Sequence, residues 1–228
     1  KITATGGVLS VAKNGQNPQF TADELAAIVS TAKDYGMLTA AHAHGDEGMR
    51  RAIIAGIKTI EHGTLMEPST MDLMVKHDAY LVPTISAGKA AAANAAIPGY
   101  FPEVIAKKAL EIGPRSQSTF AMAYKKGVKI AFGTDAGVSP HGDNAKEFGF
   151  MVAAGMPVME AIAAATVTNA NLLGYADSLG QLKAGYTADI VAVSEHPEKN
   201  VTTLEQVNFV MKEGTVFKEK NKEVLRGY

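Results

Sequence analysis

A chain of 228 residues, 46% hydrophobic and 20% charged, has the composition of a globular protein and the length of one large domain or a domain with an appendage. A formal net charge of −1 argues against nucleic acid or an anionic membrane as partner, and the apolar runs are too short and broken to predict a membrane span. There is no cysteine, which excludes disulfides and thiolate chemistry and leaves His, carboxylate or modified side chains to hold any metal.

The first residues, Lys1-Ile2-Thr3-Ala4-Thr5-Gly6-Gly7-Val8, read as the end of a buried strand entering a loop, and residues 11–19, rich in Asn, Gly, Gln and Pro, continue that loop. Thr21 with Glu24 three residues on is a capping-box pattern. The helix it starts carries Leu25, Ile28, Val29 and Ala32 on one face and stops near Tyr35-Gly36. Residues 37–43 form a buried-strand run, 46–56 a second helix with Met49, Ile53 and Ile54, and 58–60 a short strand ending at Glu61-His62-Gly63. A third helix over 68–77 leads into a strand at 79–84. An alanine-rich excursion at 88–99 follows, and the run 87–96 reads as a helix or a mobile lid. A helical region over 102–126, interrupted at Gly113-Pro114, precedes the strand 128–132, which ends at Gly133-Thr134-Asp135. Three helical stretches come next, with junctions at Met156-Pro157 and Ala165-Thr166; Asn169 and Asn171 in the last read as helix-end hydrogen-bonding residues.

Alternation of strand and helix up to about residue 175 implies a parallel sheet with strand ends at 1–5, 37–43, 58–61, 79–84 and 128–134. That is too few for a closed eight-stranded barrel of roughly 250 residues. From Gly180 the texture changes. β runs within 182–193 and 207–217, turn glycines at 185 and 214, and a polar loop around Glu195-His196-Pro197 predict a small antiparallel element.

Thr39-Ala40-Ala41-His42-Ala43-His44-Gly45, Glu61-His62-Gly63 and Gly133-Thr134-Asp135-Ala136-Gly137 each place ligand-type side chains at a strand end, where a parallel barrel presents its functional groups. His42 and His44 are two apart, so on a strand they point the same way. Any one of these histidines alone reads as a hydrogen-bonding or surface residue. His42, His62 and Asp135 at equivalent places in the repeat read together as a metal site. Imidazole and carboxylate without thiolate suit zinc, manganese or iron in a hydrolytic role. His141 follows the last strand and is a substrate contact or a loop-stabilising residue. His77 and His196 read as surface or turn residues, Arg50 and Arg51 as solvated charges. Thr84 faces the site if the strand phase is as read.

With these motifs in hand, the chain resembles the C-terminal half of a metallohydrolase of the amidohydrolase superfamily, in its imidazolonepropionase-like and prolidase-like (Xaa-Pro dipeptidase) branch. The resemblance is carried by residues 1–8, Ala41-His42-Ala43-His44-Gly45, Ile60-Glu61-His62-Gly63, Phe132 to Val138 with Pro140-His141-Gly142, and Gly180 to Val191. It implies an α/β fold: strands four to eight of a distorted (β/α)8 TIM barrel over residues 1–178, and over 179–228 the C-terminal part of a small β-sandwich domain. Residue by residue it implies that Lys1, as a carboxylated lysine, bridges two divalent metals, zinc being expected. It implies that His42 and His62 are ligands and that Asp135 is both ligand and catalytic acid–base group. His44 and His141 are then substrate-binding candidates, with the choice between His42 and His44 as ligand left open. A lysine amine whose pKa is lowered by burial and nearby cations can add CO2 to give the anionic carbamate.

The strand-one His-x-His pair of the family is absent from this sequence, so a parent protein of about 400 residues is expected from the size of a complete barrel plus sandwich. A small-molecule substrate, no nucleic-acid or membrane partner, a homo-oligomeric state and a cytoplasmic location, no targeting segment being visible, complete the expectation. The leading functional expectation is hydrolysis of an amide in a dipeptide or N-acyl amino acid by water activated at a binuclear centre. The alternatives are a one-metal cyclic amide hydrolase or deaminase of the imidazolonepropionase type, against which Lys1 argues, and a non-catalytic paralogue with an interaction role, against which His42, His62 and Asp135 argue.

Overall fold

The computed structural model describes residues 1–11, 15–219 and 222–223; residues 12–14 of the predicted first loop lie outside the described residues. The chain divides into two compact units, Lys1–His141 and Gly142–Tyr228.

In the first unit a parallel sheet of five strands runs in sequential order: β1 (Ile2–Thr3), β2 (Ala40–Ala43), β3 (Thr59–His62), β4 (Tyr80–Val82) and β5 (Lys129–Ile130). Between β1 and β4 each strand is followed by one helix before the next: α1 (Ala22–Asp34), α2 (Asp46–Ala55) and α3 (Pro68–Lys76). Three helices, α4 (Ile85–Ala95), α5 (Glu103–Ile112) and α6 (Arg115–Lys125), separate β4 from β5. All five predicted strand ends are thus parallel neighbours, and the unit is a partial (β/α) barrel. The alanine-rich run, read as helix or lid, is helical as α4.

Register sorts the strand residues into two faces. Ile2, Ala41, Ile60, Leu81 and Ile130 lie side by side. Ala41, Ile60, Leu81 and Ile130 are buried, as are Met49, Ile53, Met71, Met74 and Phe120 of the surrounding helices. The opposite face carries Thr3, His42, Glu61 and Val82 in one row. Strands covered on both faces are rich in apolar residues throughout, so the polar residues of the second row mark the face that has a purpose other than packing.

The helix boundaries follow from local chemistry. Thr21 accepts from the Glu24 backbone N–H while the Glu24 carboxylate accepts from the Thr21 N–H at 2.8 Å, the reciprocal capping box predicted from sequence. Gly36 (φ 66°) turns the chain out of α1, and the Met37 N–H donates back to the Ala32 carbonyl. This exit delays β2 to Ala40. Met37 and Leu38, expected inside a buried strand, are therefore 65% and 55% exposed.

The second unit holds α7 (Lys146–Ala153), α8 (Val158–Ala163), a π-helical turn at Ala164–Thr168 and α9 (Asn169–Leu172). An antiparallel sheet follows, with β6 (Ile190–Ala192), β7 (Phe209–Lys212), β8 (Thr215–Glu219) and β9 (Lys222–Glu223) in order. Lys212 pairs with Thr215 across a two-residue turn, Glu213 (φ 50°) and Gly214 (φ 78°), the doubly left-handed turn that matches strand twist. Among the described residues, no helix is long and apolar enough to cross a membrane.

Candidate metal centre

At the C-terminal ends of β2 and β3 three imidazoles meet. Ring centroids are 4.7 Å apart for His42–His44, 4.6 Å for His42–His62 and 5.0 Å for His44–His62, the last pair stacked. One nitrogen of each lies within 4.8 Å of those of the others, so the three could hold a metal ion together. His44, just beyond β2, is 7% exposed, and its backbone N–H donates to Thr5 Oγ1 at 2.9 Å.

Strand alternation alone does not build this cluster. His42 is level with Glu61 across β2 and β3, whereas His62 is level with Ala43 and shares the parity of Ile60, which is fully buried. His62 reaches the other side because its backbone turns left-handed, φ 72°, immediately before Gly63 at φ 60°. A Cβ on Gly63 would lie 2.6 Å from Leu81 Cδ1, so glycine is required there by space as well as by φ. Thr84, after β4, and Asp135, after β5, are also left-handed, at φ 45° and 54°. Such conformations cost of order 1–3 kcal/mol each in non-glycine residues and collect at functional sites.

Each histidine has one ring position engaged by a neighbour. His44 Nδ1 lies 3.0 Å from Thr64 Oγ1 and His62 Nδ1 lies 2.6 Å from Thr84 Oγ1, while His42 hydrogen-bonds the Gly6 backbone. Among the described residues, His42 Nε2 is buried with no hydrogen-bond partner. A buried polar atom left unpaired calls for an explanation, and an imidazole nitrogen in a group of three histidines fits a divalent cation. The electrostatics agree. Burial first, and then the neighbouring His42 and Lys108, push the His44 pKa down to about 3. Burial, reinforced by His44, His42 and Lys1, holds His62 well below the usual histidine range, and burial likewise lowers His42. Neutral imidazole is the form that ligates metal.

Asp135 lines the same cavity as the three histidines, and Lys1 and Asp135 both act electrostatically on His42 and on Glu61, but Lys1 is exposed, not buried as the expected carbamate chemistry requires. His42, His44, His62 and Asp135 are thus brought together on one cavity, and Lys1 is not among the residues that line it. Nor is His141: it is exposed and lines a separate depression with Asn94, Tyr100 and Pro140. His77 and His196 are exposed, as expected.

Glu61, Thr64 and Gly6 were not singled out from the sequence. Glu61 is half-buried, accepts from Thr59 Oγ1 at 2.6 Å, and has its pKa raised mainly by burial. Its signal was available, since period two from the strand register puts Glu61, not His62, beside His42. The threonine partners lie 20 and 22 residues from their histidines, a pairing no local pattern encodes.

The cluster and Asp135 form the floor of a cavity of about 250 Å³ whose walls are Val8, Leu9, Ala87, Ala91, Ile112 and Val138. The wall formed by the first loop is fastened by buried Lys108, whose Nζ donates to the Ser10 carbonyl at 2.6 Å and the Gly7 carbonyl at 3.2 Å.

The chain is 34% identical to ochratoxinase of Aspergillus niger over 96% of its own length and 46% of that protein's. A crystal structure of a Xaa-Pro dipeptidase with methionine bound in its active site superposes with a TM-score of 0.93 at 55% identity, covering 95% of this chain and 53% of that one. A crystal structure of a prolidase complexed with N-methylphosphonate-L-proline gives a TM-score of 0.88 at 30% identity, covering 96% and 54%. The chain therefore spans about half the length of the relatives it matches. The profile of the amidohydrolase family matches residues 1–217, and with strand-end histidines, aspartate and parallel sheet in the matching order, the chain belongs to the amidohydrolase family.

Proposed function

We propose that this chain supplies most of the catalytic centre of a metal-dependent hydrolase that cleaves the amide bond of a dipeptide or N-acyl amino acid. The observation that carries the proposal is the buried His42 Nε2, unpartnered among the described residues, within a cluster of three imidazoles that opens with Asp135 onto an apolar-walled cavity. Similarity to an Xaa-Pro dipeptidase, a prolidase and an ochratoxinase supports the choice of an amide. In this reading residues 1–178 are the hydrolase part and 179–228 belong to the sandwich domain.

Lys1, as the carbamate formed when its Nζ adds to CO2 and loses a proton, would hold two zinc ions together with His42, His62 and Asp135. When bound, such ions lower the pKa of the attacking water and polarise the scissile carbonyl. The Asp135 carboxylate accepts a proton from that water and delivers it to the nitrogen of the departing amine, so that no free amide anion is expelled. His44, held through Nδ1 by Thr64, orients the substrate from the cavity floor. The apolar walls select an uncharged side chain and exclude bulk water from the bond being cut.

One observation favours a second reading: His42, His44 and His62 by themselves are a three-nitrogen set sufficient for a single ion, as in a one-metal cyclic amide hydrolase or deaminase. The test is a screen of the full-length protein against dipeptides, N-acyl amino acids and cyclic amides, before and after chelation. Chelator-sensitive release of an amino acid from the linear substrates is expected. Turnover confined to cyclic amides, or no turnover after metal and bicarbonate are restored, would overturn the proposal.

A further inference from the structure

Thr84 occupies the N-cap of α4, where a threonine hydroxyl ordinarily accepts from the first backbone N–H groups of its own helix. It makes no such bond. Its Oγ1 instead lies 2.6 Å from His62 Nδ1, its side chain is in a residue only 4% exposed, and its backbone is left-handed at φ 45°. For a β-branched residue that φ is a true outlier. A helix cap and a relaxed backbone are both given up at one position, and the interaction made in their place is the one with the His62 ring.

We infer that Thr84 is a positioning residue for metal binding. Its hydroxyl oxygen accepts from His62 Nδ1–H, which fixes the tautomer and rotation of the ring so that the Nε2 lone pair is directed into the cluster. A ligating histidine whose remote nitrogen is held in this way is pre-oriented, and loss of such a partner typically costs about 10–100-fold in metal affinity. The arrangement also ties the ligand to α4, which carries Ala87 and Ala91 of the cavity wall, so the metal site and the substrate wall share one anchoring residue. This inference rests on the metallohydrolase reading above.

The test uses the full-length protein and zinc alone, with affinity read by competition against a chromophoric chelator. Thr84→Val removes the hydroxyl at nearly constant volume and is expected to raise the zinc dissociation constant by about 10–100-fold. Thr84→Ser keeps the hydroxyl and is expected to stay near the parent value. Parent-like affinity in Thr84→Val, or equal losses in Thr84→Val and Thr84→Ser, would overturn the inference. A parent protein that binds no zinc would instead overturn the underlying reading. A second measurement needs no variant: ¹⁵N shifts of the His62 ring in the metal-free protein should show a protonated Nδ1 and an unprotonated Nε2, and the reverse would overturn the inference on its own.

Discussion

Asp135 combines two properties that make it the sharpest single-residue test of the chemistry. It sits at φ 54°, a conformation that asparagine tolerates well, and it borders the cavity floor beside the histidines. Asp135→Asn should therefore keep the fold while removing the only carboxylate among the described cavity-lining residues, with turnover lost by about 10²–10⁴-fold, the usual contribution of a positioned acid–base group. Near-UV circular dichroism and single-turnover kinetics together check both halves; near-normal rates would refute the role. His42, His62 and Asp135 were legible because each ends an apolar run in a repeating pattern. The manner in which His62 joins them was not, because a single left-handed residue reverses the parity that strand periodicity predicts. Thr64 was hidden for a different reason: its contact to His44 crosses from one strand end to the next loop and leaves no local signature.

Among the elements, α1 and the sheet base carry measurable local terms. Removing the reciprocal cap by Thr21→Ala should lower stability by about 1 kcal/mol, read as a shift in the denaturant midpoint at constant slope. At the N-terminal end of the strands, Asp78 pairs with Lys58 at 2.8 Å and with Lys129, and both lysines lie just over 5 Å from the Tyr80 ring centroid, at 5.2 and 5.3 Å. Hydrogen bonds from Lys129 and Lys58 lower the Asp78 pKa to about 2. A carboxyl depressed in the folded state stabilises it above its ordinary pKa near 4, and that contribution disappears as pH falls towards 2. The pair is solvent-exposed, so Asp78→Asn should cost no more than about 1 kcal/mol at pH 7, with the difference from the parent vanishing near pH 2 in acid titrations of stability. On the cavity wall, Ala87→Leu should raise KM by about tenfold or more for substrates with a large apolar group and less for glycyl analogues, since each methylene in an apolar pocket is worth about 1–3 kcal/mol. An equal effect on both substrate sizes would remove α4 from the recognition surface. Helix positions were readable from caps, glycines and apolar spacing. The early residues of β2 were misjudged because Met37 and Leu38 look like strand core, yet they complete the exit from α1.

In the whole molecule, the parallel order of five strands follows directly from the alternation of strand and helix patterns in the sequence, and the antiparallel sheet from the later change to β runs with turn glycines. The number of metal ions is a property of the complete centre, to which this chain contributes Lys1, His42, His62 and Asp135 in the account proposed above. It separates the binuclear amide hydrolase from the one-metal reading built on His42, His44 and His62 alone. The most direct measurement is the metal content of the full-length protein, by elemental mass spectrometry after reconstitution with zinc and bicarbonate, for the parent and for the variant Lys1→Ala. The account predicts two zinc ions per protomer in the parent, fewer in the variant, and amide hydrolysis that tracks the count. One ion or none in the parent, or a count unaffected by Lys1→Ala, would contradict it.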